Sequence, residues 1–175
     1  MFQLLLAVMA IALTASLTAV AVNYLPTWQG AAATTADQLT RALPQLEQAY
    51  DAAVRANDGV APAPTGEADG GAVSIFRPIL RFMPATPPGF QWVYGRQADD
   101  GSPQAGLHFF CMAPSQPLTE GVGRGLYRAM ATFSPDQAFI NTGCGSNVSA
   151  APPADWRAAQ RAVTFYVAYT PGIGR

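Results

Sequence analysis

His108, Cys111 and Cys144 are the residues of this chain best suited to nucleophilic or metal chemistry, for it has no other histidine or cysteine. A His–Cys pair forms a nucleophilic dyad when the imidazole takes the thiol proton, and the same residue types bind zinc. The spacing opposes both uses. Residues 106–112 read as a strand, whose alternating side chains send His108 and Cys111 to opposite faces. Zinc would also need further ligands that are not obvious here, with only three His or Cys residues in the chain. We assign no metal and no cofactor, and we do not read the chain as an enzyme. In a cytosolic chain the two cysteines would be unpaired core residues; in an exported one the even pair reads as a Cys111–Cys144 disulfide.

The other patterns with chemical precedent fare no better. GVGRG at 121–125 and PGIGR at 171–175 lack the lysine of a phosphate-binding loop and read as turns. Asp99 and Asp100 stand beside Gly101 in a turn context. No GxSxG elbow is present, and Asn147-Val148-Ser149 matches a glycosylation acceptor by pattern alone. Phe90, Trp92 and Tyr94 recur at strand spacing, either as a binding stripe or as one core-facing strand side; we favour the core.

What must position these residues is decided by the distribution of charge. The chain has 175 residues, enough for one domain with a core, and only 12% are charged. No charge occurs before Asp37. The net charge of −1 leaves no basic surplus to neutralise phosphates, so nucleic acid is not an expected partner.

Residues 2–25 form an uncharged apolar run that includes Phe2, Leu5, Val8 and Ile11. As a helix it would span roughly 36 Å, against about 30 Å of hydrocarbon. A cleavable signal is the competing reading, with Ala31–Ala33 as cleavage site. It would want a basic leader and an apolar stretch of about 7 to 15 residues, and neither is here. Pro26 ends the run, and Tyr24 and Trp28 flank it as aromatics flank a membrane interface. After a Gly30-Ala-Ala-Ala joint, Leu39, Leu43, Leu46, Tyr50 and Val54 recur at helical spacing and define one stripe. Thr34 or Thr35 is the expected cap, Pro44 the expected kink or break, and Asn57-Asp58-Gly59 the expected end.

In this order of parts the chain resembles the type IV pilins. The matching parts are the run 2–25, Pro26, the stripe from Leu39 to Val54, Pro44 and the Cys111 and Cys144 pair. The resemblance implies an apolar helix that serves first as an inner-membrane anchor and then as filament core. It also implies an amphipathic continuation packed on a small antiparallel sheet. Counted from Met1 as a processed start, Leu5 stands where the family carries a glutamate. That departure fits a minor pilin, a pseudopilin, or an accessory protein of a type IVb or conjugative thin pilus. The implied partners are copies of itself or other pilin-like subunits, the inner membrane and the pilus assembly machinery. The implied location is a single-pass inner-membrane protein with a periplasmic domain, then a cell-surface filament. A membrane-anchored periplasmic binding or assembly factor that never polymerises is the alternative.

The fold class expected is therefore α+β, with a transmembrane or filament-core helix at 1–25, an amphipathic helix at 26–57, a loop or linker at 58–72 and a sheet domain at 73–175. Strands are expected at 73–82, 91–94, 106–112 and 162–169, the first weakened by Pro78. A short helix is expected at 120–133, weakened by its glycines, and a helical turn or two at 154–161.

Overall fold

A helix that begins at Trp28 buries one stripe of alanines, leucines and Tyr50, which α-helical and sheet elements further along the chain cover. A computed structural model describes residues 3, 7–14, 28–64 and 75–167. Within them lie α1 (Trp28–Ala56), β1 (Phe90–Arg96), β2 (His108–Pro114), α2 (Glu120–Met130), β3 (Ala138–Asn141) and β4 (Ala162–Val167). The class is α+β.

α1 starts earlier than its stripe requires. Gly30 to Ala33 are helical rather than a joint, and Thr34 and Thr35 are interior rather than caps. The Thr34 hydroxyl donates back to the Gly30 carbonyl at 3.0 Å, and Thr35 is buried. Alanine is the best helix former, so three in a row outweigh the single Gly30. Pro44 does not divide the helix either. It removes one backbone donor, but Leu43 and Leu46 on either side are fully buried and hold the turn by packing. The helix ends at Asn57-Asp58-Gly59. Asp58 and Gly59 take positive φ (51° and 86°), and the Gly59 amide donates to the Val54 carbonyl at 2.9 Å.

The four described strands form one antiparallel sheet in the order β1-β2-β4-β3. β1 and β2 pair from Phe90↔Pro114 to Arg96↔His108. The last strand then enters between β2 and β3, with Phe110 and Ala138 both opposite Phe165. Every residue of β4 is buried, because both faces of the sheet are covered. Trp92, Tyr94, Phe110, Met112, Ile140, Val163, Phe165 and Val167 face the helices. Phe109, Cys111, Phe139 and Tyr166 form a smaller cluster on the other side.

Three sequence expectations are corrected here. Residues 75–82 are not a strand: the Ile79 and Leu80 amides both donate to the Phe76 carbonyl, closing a turn that Pro78 favours. Phe76 is buried edge-on against Tyr94 and Phe110. Residues 154–161 contain one bonded turn, from the Ala159 amide to the Trp156 carbonyl, and no helix. Pro152 and Pro153 precede it, and the Asp155 carboxylate takes the Arg157 amide at 2.9 Å as an Asx turn does.

The third concerns GVGRG, which is the packing face of α2 and not a turn. Thr119 caps the helix, accepting weakly from the Val122 amide. Cβ atoms at Gly121 and Gly125 would lie 2.9 Å from the Trp28 carbonyl and 2.7 Å from the Ala32 carbonyl. A Cβ at Gly123 would meet the Trp156 ring at 2.2 Å. Absent side chains thus let α2 lie directly on the first two turns of α1.

Gly125→Ala should therefore destabilise the domain, although alanine gains about 1 kcal/mol in helix propensity. Overpacking costs about 1–3 kcal/mol, and here the obstacle is backbone. We expect a net loss of up to about 2 kcal/mol in urea unfolding, against no loss for Gly143→Ala, which meets nothing within 4 Å. A stabilised Gly125→Ala protein would refute the close packing.

Candidate functional site

Strand alternation separates His108 from Cys111. His108 opens β2 on the helix side, and Cys111 points to the opposite face, where it is disulfide-bonded to Cys144. The thiol is consumed, and no His–Cys dyad forms.

His108 belongs to a relay instead. Its Nδ1 lies 2.7 Å from the Tyr94 hydroxyl, which lies 2.8 Å from the Pro62 carbonyl. The phenol has one proton and Pro62 offers only an acceptor. Both contacts are hydrogen bonds when His108 Nδ1–H donates to Tyr94 and Tyr94 donates to Pro62. The Tyr94 ring stacks on the imidazole at 5.4 Å, and Tyr50 of α1 approaches it at 5.8 Å. The relay fastens the segment after α1 to the start of β2. Burial, followed by the Arg96 charge, holds the His108 pKa below its ordinary value. Burial, with Tyr50 adding to it, pushes the Tyr94 phenol well above its own.

The aromatic stripe is spent on the core. Trp92 and Tyr94 are buried, and the Trp92 indole N–H donates to the Pro84 carbonyl at 2.9 Å. Phe90 is half-buried. Asp99 and Asp100 belong to an exposed turn: Asp100 accepts from the Ser102 backbone amide at 3.0 Å and from the Gln97 side-chain Nε2 at 3.1 Å. These hydrogen bonds, Ser102's first, hold its carboxyl below the usual range.

Opposite the helices, Cys144 and Gly145 close over Phe109 and Tyr166. The Gly145 amide donates to the Thr164 hydroxyl at 3.1 Å, and the Tyr166 phenol donates to the Gly145 carbonyl at 2.9 Å. Burial, then the Asp100 charge, raises the Tyr166 pKa to about 12. Gly95 leaves room for the Phe109 ring, which a Cβ would strike at 2.3 Å.

The two faces of α1 differ sharply. Leu39, Leu43, Leu46, Tyr50 and Val54 are all buried, joined by Ala32, Thr35, Ala36, Ala42, Ala49 and Ala53. The opposite face carries Ala33, Thr34, Thr40, Gln45 and Gln48, with an exposed Asp37–Arg41 pair at 3.0 Å. Of the apolar-run residues, Val8 and Ile11 are helical and exposed, at 57% and 69%. Phe2, Leu5 and Pro26 lie outside the described residues. Among the described residues no helix is long and apolar enough to cross a membrane, and most of 2–25 falls outside them.

No family model matches the chain, and no curated protein or solved structure is detectably similar to it.

Two outcomes test the site. The loop between the cysteines spans 33 positions, so C111A/C144A should lose roughly 3 to 4 kcal/mol in urea unfolding. A loss below about 1 kcal/mol would mean that the aromatic cluster alone holds the loop. The second outcome concerns pH. Because His108 binds its proton less readily when folded, its stabilising contribution is complete above the unfolded value of 6.5 and is lost as pH falls below it. Wild-type thermal midpoints should drop between about pH 6.5 and 5 by more than those of His108→Gln. Parallel pH profiles would show that His108 does not sense pH.

Proposed function

We propose that this chain is a pilin-like structural subunit of a type IV pilus or related secretion filament, of the minor pilin or pseudopilin kind. The observation that carries the reading is α1. It begins three residues after an uncharged apolar run, buries one face on an antiparallel sheet and α2, and leaves the other face small and polar.

The mechanism is mechanical. Residues 2–25 park the chain in the inner membrane as a single span, with the domain in the periplasm. On assembly they leave lipid and pack against the same segment of neighbouring subunits, so their apolar surface stays out of water throughout. The domain is carried to the outside of the filament and supplies subunit contacts, with the Cys111–Cys144 bond protecting it beyond the cell. Its partners are other subunits, the membrane before assembly and the assembly machinery.

Val8→Asp or Ile11→Asp tests this. A carboxylate at mid-membrane costs about 2.5 to 3.5 kcal/mol and has no counter-ion within the run. We expect the wild-type chain in surface filaments removed by shearing, and either variant to be missing from them. Wild-type filament levels in the variants would overturn the reading. A wild-type chain found only in membranes would favour the non-polymerising assembly factor.

A further inference from the structure

The start of α1 carries a basic and aromatic groove for which filament assembly has no evident use. The Arg124 guanidinium lies 4.5 Å from the centre of the Trp28 ring. Arg128, one turn further along α2, shares its helix face. Trp28, Gln29, Ala32, Ala33, Arg124 and Arg128 line an open groove of about 540 Å³. Both arginines are exposed. Glu120 pairs with Arg124 at 2.9 Å, and among the described residues Arg128 forms no ion pair. One carboxylate against two guanidinium groups leaves the groove positive.

Chain connectivity sets its depth. Three residue steps separate Leu25 from Trp28, which is about 11 Å at full extension by any path. Gly121 adjoins Trp28 and Gly125 adjoins Ala32, so α2 runs parallel to α1 and the groove stays at the Trp28 end. A bilayer has about 5 to 8 Å of headgroup layer on each side of its hydrocarbon, which is within that reach.

We propose that this groove binds the phosphate of an anionic phospholipid while the chain stands in the membrane. The inference rests on reading 2–25 as a membrane segment. A guanidinium fork matches two phosphate oxygens, and tryptophan prefers the headgroup level. The groove is too open and exposed to hold free phosphate tightly. Headgroups tethered beside it by the bilayer have a high effective concentration instead. Each arginine near an anionic surface contributes about fivefold in affinity. The contact sets the domain's rotation on the membrane and is released when the subunit enters a filament.

The test uses the full chain in bilayers of mixed phosphatidylglycerol and phosphatidylcholine, with co-released lipids counted by native mass spectrometry. Phosphatidylglycerol should be retained preferentially, and R124Q/R128Q should lose about 25-fold of that preference, about fivefold for each arginine, with an unchanged unfolding midpoint. If the double variant misfolds, Arg128→Gln decides alone, because it leaves the Trp28 contact intact; it too should lose about fivefold. No preference in the wild type, or one that survives substitution, overturns the proposal. Displacement by added inorganic phosphate would make this a free-anion site and also overturn it. A wild-type chain that shows the lipid preference but never enters filaments would defeat only the subunit reading. One that does not enter bilayers would defeat both.

Discussion

The apolar stripe of α1 is the constraint on which the structure depends. A helix of 29 residues with eleven buried positions cannot stand alone in water, and among the described residues no single partner element is long enough to cover it. The fold uses two covers of different kinds. The first turns lie under α2, whose glycines admit backbone-close contact with Trp28, Ala32 and Thr35. The later turns lie under the aromatic face of the sheet, where Tyr50 meets Tyr94 at 6.4 Å. Small residues on both helices at one end, and large ones on helix and sheet at the other, keep the layer filled.

That arrangement explains why the last strand occupies the middle of the sheet. β4 pairs with β2 on one side and β3 on the other, so the core layer is complete only when the C-terminal part of the domain is in place. The disulfide then acts from the outer face. It ties Cys111 of central β2 to the loop after β3, and Tyr166 and Thr164 of β4 bind that loop through Gly145. The edge strand is thus fastened through side chains and a covalent bond as well as through its own ladder.

The buried polar groups follow the same logic. His108 and Tyr94 could have been chemical groups, but each is occupied in joining the segment after α1 to the sheet. Burial holds each in its neutral form, which suits a hydrogen-bonded tie more than a proton-transfer group. What stays open to the surroundings is the polar face of α1 and the groove between Trp28 and α2.

Much of this was legible in residue order because it depends on local periodicity. The stripe from Leu39 to Val54, the glycine stop after Asn57, the central parts of β1, β2 and β4, and the opposed faces of His108 and Cys111 all follow from spacing within one element. What failed depended on neighbours distant in sequence. Gly121, Gly123 and Gly125 look like helix breakers until α1 and Trp156 are placed against them, because propensity is a small free energy and close packing a larger one. β3 is four residues long, too short to show alternation, and is a strand only because β4 pairs with it. Pro44 and Gly30 look like breaks, yet packing carries the helix through Pro44 and the alanines after Gly30 carry it through that glycine. Residue order determined the class, the stripe and the charge-free run; only tertiary contact decided how the stripe is covered and which glycines and aromatics do the covering, because those choices rest on distances between residues that the chain itself keeps far apart.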